Sequence, residues 1–233
     1  MTLETPETPA TERTTVRRLR ERGRYDRELI ESILDEGLIC HLGFVEDGHP
    51  FVIPMIHARA EDTVYLHGSP GSRLLNLMKR GADACMTVTI VDALVLARSA
   101  FHHSMNYRSA VVLGELREVI DRDEKLLASH ALTEHVARGR WEFIRQPNDD
   151  ELRKTLIVAM SLDEASAKVR TGPPVDDEED YELPIWAGIL PLPMTPAAPE
   201  PDPRLRPEIA LPGHVRDWTR EHAAPPTLEG GDE

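Results

Sequence analysis

After Gly37 the hydrophobic period of this chain changes, and that change restricts the fold more than any other feature. Before it, YDRELIESILDEG (residues 25–37) reads as a helix, with Asp26 as a candidate N-cap, Leu29, Ile30, Ile33 and Leu34 on one face, and Gly37 as the stop. After it, GLICHLGFV, PFVIPMIHARA and TVYLHG are short β-branched and aromatic runs separated by EDGHP and AED, the pattern of antiparallel strands joined by tight turns. The segment SPGSRLLNLMKRG (69–81) predicts a compact helix capped by Ser69, with Leu74, Leu75 and Met78 as its apolar face. Strand character returns in DACMTVTIVDALVLA and YRSAVVLGELREVI, helical spacing in 121–139 and 148–155, and strand character again in TLIVAMSLDEASAKV. This order predicts a mainly β fold, an antiparallel β-barrel with peripheral helices, and not a βαβ sandwich.

The barrel domain is expected over residues 16–193. Residues 1–15, rich in Thr, Pro and Glu, read as a disordered tail, and 194–233 as a Pro-rich tail, since ten of the 19 prolines lie from Pro191 onward. At 233 residues and 40% hydrophobic, the chain can fill one core. A formal charge of −14 argues against general affinity for nucleic acid or an anionic membrane, so an anionic ligand needs a local basic pocket. Cys40 and Cys85 sit singly in apolar stretches and read as buried free thiols of a reducing compartment. With neither a leader pattern nor about 18 consecutive apolar residues, the expected location is the cytoplasm, with no membrane span.

Chemistry concentrates in LHGSPGSRLLNL (66–77). There a strand ends at Gly68 and a helix opens with Ser72 and Arg73 near its start, so that backbone N–H groups, hydroxyls and a guanidinium can converge on a phosphate. The same residues also suit a capped helix with a solvated arginine. In SMNYRSAVVLGE, Asn106, Arg108 and Ser109 enter an apolar strand, where a positive charge requires an anionic partner unless it snorkels to water. His102 and His103, read as strand neighbours, point to opposite faces and cannot readily share one ion, and no HExxH spacing occurs. No metal site is expected. Trp186, in the short apolar run after the acidic DDEEDYE, suits either a core position or a ring packed on a ligand or partner subunit.

Five ordered blocks, GLICHLGFVEDGHPFVIPMIH, VYLHGSPGSRLLNL, SAFHHSMNYRSAVVLGE, SAKVRTGPPVDDEEDY and LPIWAGILPL, resemble the pyridoxamine 5′-phosphate oxidase-like FMN-binding split barrels, in their nitroimidazole-resistance or flavin-nucleotide-binding branch. The resemblance covers roughly residues 24–192 and implies a homodimer with FMN at the subunit interface. It places the backbone around Ile53, Pro54 and Met55 along the polar edge of the flavin, where N–H groups would stabilise the reduced ring. His67 and Gly68 would lie near the ring and ribityl chain, and Ser72 and Arg73 on the phosphate. Arg108, Ser109, Lys168 and Arg170 match blocks that approach the cofactor, and Trp186 matches a tryptophan near the flavin of the dimer partner. In the oxidase proper a lysine follows the phosphate-binding arginine, and here that position is Leu74. The substrate-binding arginine motif expected after the tryptophan is replaced by LPLPMTPAAPEP, so true pyridoxamine phosphate oxidation is not implied. The implied activity is transfer of electrons from a reduced nicotinamide or similar donor through FMN to a small-molecule acceptor, such as a nitro compound, with His67 as the catalytic proton donor. The resemblance equally admits a haem-binding protein with His67 as iron ligand, a deazaflavin-using reductase, and a flavin-binding module without turnover.

Overall fold

The computed structural model describes residues 8–68 and 83–219. In chain order the elements are β1 (Gly23–Arg24), α1 (Arg27–Glu36), β2 (Cys40–Glu46), β3 (His49–Met55), β4 (His57–Ala60), β5 (Thr63–Gly68), β6 (Asp83–Leu96), β7 (Ser104–Glu115), β8 (Arg117–Glu118), α2 (Arg122–Val136), α3 (Asp149–Lys154), β9 (Leu156–Ser161), β10 (Ala165–Arg170), β11 (Gly188–Pro191) and α4 (Gly213–Arg216). The fold is mainly antiparallel β, as the period change predicts. The helix expected over 69–81 lies outside the described residues.

One sheet runs β1-β10-β7-β6-β2-β3, with β11 also on β6, and the other runs β4-β5-β9-β8. The chain crosses between them at Ile56, so that PFVIPMIHARA is two strands in two sheets. TLIVAMSLDEASAKV likewise divides into β9 and β10. Asp47 and Gly48, both at positive φ (50° and 78°), make the tight β2–β3 turn that the DG dipeptide favours.

Helix α1 forms for the reasons visible in its sequence. The Asp26 carboxylate accepts from the Leu29 N–H at 3.0 Å, and Ile30, Ile33 and Leu34 enter a core shared with Leu42, Met86, Val88, Val112 and Met160. Asp26→Ala is expected to destabilise the protein by about 1 kcal/mol in urea unfolding, since a free N–H then replaces the capped one. Helix α2 covers the second sheet over a smaller cluster of Tyr65, Val119, Ala128, Ile157 and Ala159.

Both cysteines are free. Cys40 is buried, and burial pushes its thiol up to about 12, whereas Cys85 is only half-buried, contrary to expectation. The segment before β1 meets the body at Arg13, which pairs with Asp83 and Glu164, and at Thr14, which is buried. Residues 192–212 form no helix or strand and are largely exposed, but the tail then returns, and Trp218 Nε1 donates to Val136 O at 3.3 Å. Among the described residues no helix is long and apolar enough to cross a membrane.

Candidate functional site

Two described cavities carry polar residues that the sequence singles out. His67, near the end of β5, is exposed at the side of a cavity of about 410 Å³. The other walls come from Ile56 at the sheet crossover, Leu132 and Val136 of α2, Arg140, and Val215 of the returning tail. An imidazole facing apolar walls, with a guanidinium in the same lining, can bind a flat apolar ligand and donate to it or ligate it.

A larger cavity, about 700 Å³, lies where the first sheet splits. Strand β2 pairs with β6 over residues 84–88, and β11 takes over at 93–96. Among the described residues, 89–92 are therefore left without a strand partner on that edge. A bulge between Val91 and Ala93 marks the gap, and Asp92 O accepts from Leu192 N at 2.9 Å. Leu38, Ile39, Ile90, Val91, Leu192 and Met194 form apolar walls, His41 and Thr89 join them, and Glu36, Asp92 and Arg108 line the same cavity.

Arg108 does not snorkel. It is 1% exposed and clamped by two carboxylates: Nη1 and Nη2 donate to Glu36 at 2.5 and 2.9 Å, and Nη2 and Nε to Asp92 at 2.7 and 3.1 Å. Burial alone would lower the guanidinium pKa, but its hydrogen bonds to Glu36 and Asp92 outweigh that and hold the group above its ordinary value. The anionic partners expected of a strand arginine are thus residues of the chain itself. Neither Glu36 nor Asp92 is singled out by its local pattern, although Asp92, a lone acid inside an apolar strand, is the one signal the sequence carries.

Strand β3 is an edge strand, paired only with β2 among the described residues. Proline has no N–H to give a ladder, so Pro50 and Pro54 occupy positions whose backbone points away from β2. By the same alternation Ile53 and Met55 spend their N–H groups on β2. The free edge then offers the carbonyls of Val52 and Pro54 and the Val52 N–H, in place of the N–H groups expected at residues 53–55.

The remaining expected residues are dispersed. Gly68 ends β5, while Ser72 and Arg73 lie outside the described residues. Ser109 Oγ donates to Lys168 O at 3.3 Å across the β7–β10 pair, and Lys168 Nζ to Arg18 O at 3.2 Å. Arg170 is buried against Asn106. Trp186 precedes β11 and is 69% exposed, which removes the core reading. His102 and His103 lie in the β6–β7 turn and not on a strand, where they meet Asp177 and Ser99 O respectively. Among the described residues no group of three or more His, Cys, Asp or Glu is placed to hold a metal ion.

Comparison with known proteins places this arrangement among relatives. The family described as pyridoxamine 5′-phosphate oxidase matches residues 26–169. The flavocytochrome Anf3 of Azotobacter vinelandii is 38% identical, with a TM-score of 0.85, over 92% of this chain and 100% of that one. An FAD- and haem-binding protein of Mycobacterium smegmatis is 34% identical, with a TM-score of 0.81, over 85% of this chain and 98% of its own. A candidate 5-nitroimidazole antibiotic resistance protein of Bacteroides thetaiotaomicron is 25% identical, with a TM-score of 0.55, over 63% of this chain and 86% of its own. No curated protein matches the chain.

Proposed function

The chain belongs to the pyridoxamine 5′-phosphate oxidase-like FMN-binding split-barrel family, and from that premise we propose that it is a flavin-binding oxidoreductase working as a homodimer. The observation that carries this reading is the 38% identity to a flavocytochrome over nearly the whole chain. Bound flavin, FMN in this proposal, would accept a hydride from a reduced nicotinamide or similar donor and supply electrons to a small acceptor, nitro compounds among them.

The chain's own residues would bind, orient and protonate. Ser72 and Arg73 hold the phosphate, with Gly68 allowing close approach. The free edge of β3 fits a ring with mixed donor and acceptor atoms, because it offers both carbonyls and an N–H at Val52, beside Ile53, Pro54 and Met55. Ser109 would approach the cofactor from β7, which β6 and β2 separate from β3 in the same sheet, and Trp186, exposed as it is, is available to a partner subunit. Arg108 is assigned to the architecture of the site and not to a cofactor phosphate, because its charge is already matched. His67 donates a proton to the acceptor.

A second reading, haem binding, is favoured by one observation: the His67 imidazole faces an apolar cavity with Arg140 in its lining, a donor set suited to an iron ligand beside carboxylate-bearing macrocycle edges. Two relatives are named for haem together with flavin, so the two readings are compatible.

An absorption spectrum of the purified protein tests both. Flavin bands are expected, with mass identification of the heat-released cofactor separating FMN from FAD and from a deazaflavin. Arg73→Ala is expected to weaken flavin binding about tenfold or more, the cost of one charge-assisted contact. Unchanged affinity removes Arg73 from the site. A Soret band lost in His67→Ala establishes the haem reading, and bound flavin without reductant-dependent turnover reduces the protein to a binding module.

A further inference from the structure

The walls of the cavity beside His67 are not held equally. Ile56 sits between β3 and β4, His67 lies on β5, and Leu132, Thr133 and Val136 belong to the last turns of α2, so backbone ladders fix these walls in place. Val215 arrives by another route. It follows residues 192–212, which form no helix or strand, and among the described residues the hydrogen bonds of 195–211 stay within that segment. Helix α4, Gly213–Arg216, has only four residues and is too short to persist away from a surface.

Three contacts dock this end of the tail. Trp218 Nε1 donates to Val136 O, one of the carbonyls that the end of α2 leaves without an intrahelical partner. The His214 ring meets the Phe143 ring at 4.7 Å, and Val215 enters the cavity lining. A polar penalty stands against them. Both ring nitrogens of His214 are buried without a hydrogen-bond partner among the described residues. Glu134 of α2, on which His214 acts electrostatically, already accepts from the N–H groups of Gly139 and Trp141 at 2.7 and 2.8 Å.

Few contacts hold the docked tail and an unpaired imidazole opposes them, so its open and closed states lie close in free energy. We propose that residues 213–218 are a lid on the His67 cavity, which a flat apolar ligand resting against Val215 closes. Such a ligand touches Val215 only when the tail is docked, so it binds the closed state more tightly and shifts the population towards it. The closed lid in turn slows the ligand's departure, because Val215 must move first. The choice of haem as that ligand rests on the haem reading of this cavity, and the lid itself does not.

The test is limited trypsin digestion of the full chain with and without haemin, comparing the bond after Arg216 in the lid with the bond after Arg204 in the exposed segment. Haemin is expected to slow the cut at Arg216 about tenfold and to leave that at Arg204 unchanged. Without haemin, Val215→Asp, which sets a charge against apolar walls, should speed the Arg216 cut severalfold. His214→Phe, which keeps a ring on Phe143 and removes the unpaired nitrogens, should slow it severalfold. Loss of haemin to apomyoglobin is expected to be about tenfold faster from Val215→Asp than from wild type, and unchanged in Leu205→Asp on the exposed segment. Equal cutting at Arg216 in wild type, Val215→Asp and His214→Phe overturns the lid. So does faster cutting there on adding haemin, which would make the tail an occupant that the ligand displaces. Absence of a Soret band fails the haem reading alone. The lid then stands on the ligand-free variants and on slowing of the same cut by anilinonaphthalene sulfonate, a flat apolar probe, and falls if neither moves it.

Discussion

Arg108→Ala is expected to destabilise the protein by about 3–5 kcal/mol in urea unfolding, a large part of the roughly 5–15 kcal/mol that holds a domain folded. The reason is the company left behind. Glu36 ends α1 in the core, Asp92 sits at the bulge of β6, and Arg108 joins them from β7, so its removal leaves two largely enclosed carboxylates facing each other without a cation. Replacing all three residues by apolar ones of similar size should recover most of the loss, because the desolvation cost then disappears together with the attraction. A loss below about 1 kcal/mol in the single variant would mean that water already compensates the cluster. The ion cluster also bears on the 700 Å³ cavity, since all three residues line it. A fall in flavin content of Arg108→Ala beyond that of an equally destabilised variant would tie the cavity to the cofactor.

Gly37→Ala is expected to cost about 1–3 kcal/mol or more, the range for forcing extra volume into a filled core. A methyl carbon at residue 37 would stand 2.1 Å from Val88 Cγ1. Val88 is β-branched, fully buried and on the central strand β6, so it cannot turn aside as a long flexible side chain could. The Gly37 carbonyl also accepts from His135 Nε2 at 3.0 Å, which limits how far the backbone can shift. Combining the change with Val88→Ala should restore part of the loss, so that the double variant is more stable than the two single effects predict by addition. Simple additivity would place the clash elsewhere.

Gly37 shows how differently the sequence informs at different levels. Its position after a periodic run marks the end of α1, and the structure ends that helix at Glu36. Nothing local reveals that Val88, 51 positions on, forbids a side chain there.

Legible in the sequence were the elements whose cause is local. Asp26 caps α1 because its carboxylate reaches an N–H three residues on, and the apolar stripe of Ile30, Ile33 and Leu34 follows from the helical period. The DG turn between β2 and β3 follows from residues tolerant of positive φ. The ordered blocks carried the family, which the match over residues 26–169 bears out. What the tertiary structure alone decided concerns partners distant in the chain. Which sheet each half of PFVIPMIHARA joins depends on the crossover at Ile56, and which N–H groups β3 leaves free depends on its being an edge. Arg108 found Glu36 and Asp92, whereas Arg170 found only neutral acceptors and the charge of Arg22. Local preferences are set by a residue and its near neighbours along the chain. The countercharge of a buried cation is set by the closure of the whole barrel, which no local pattern records.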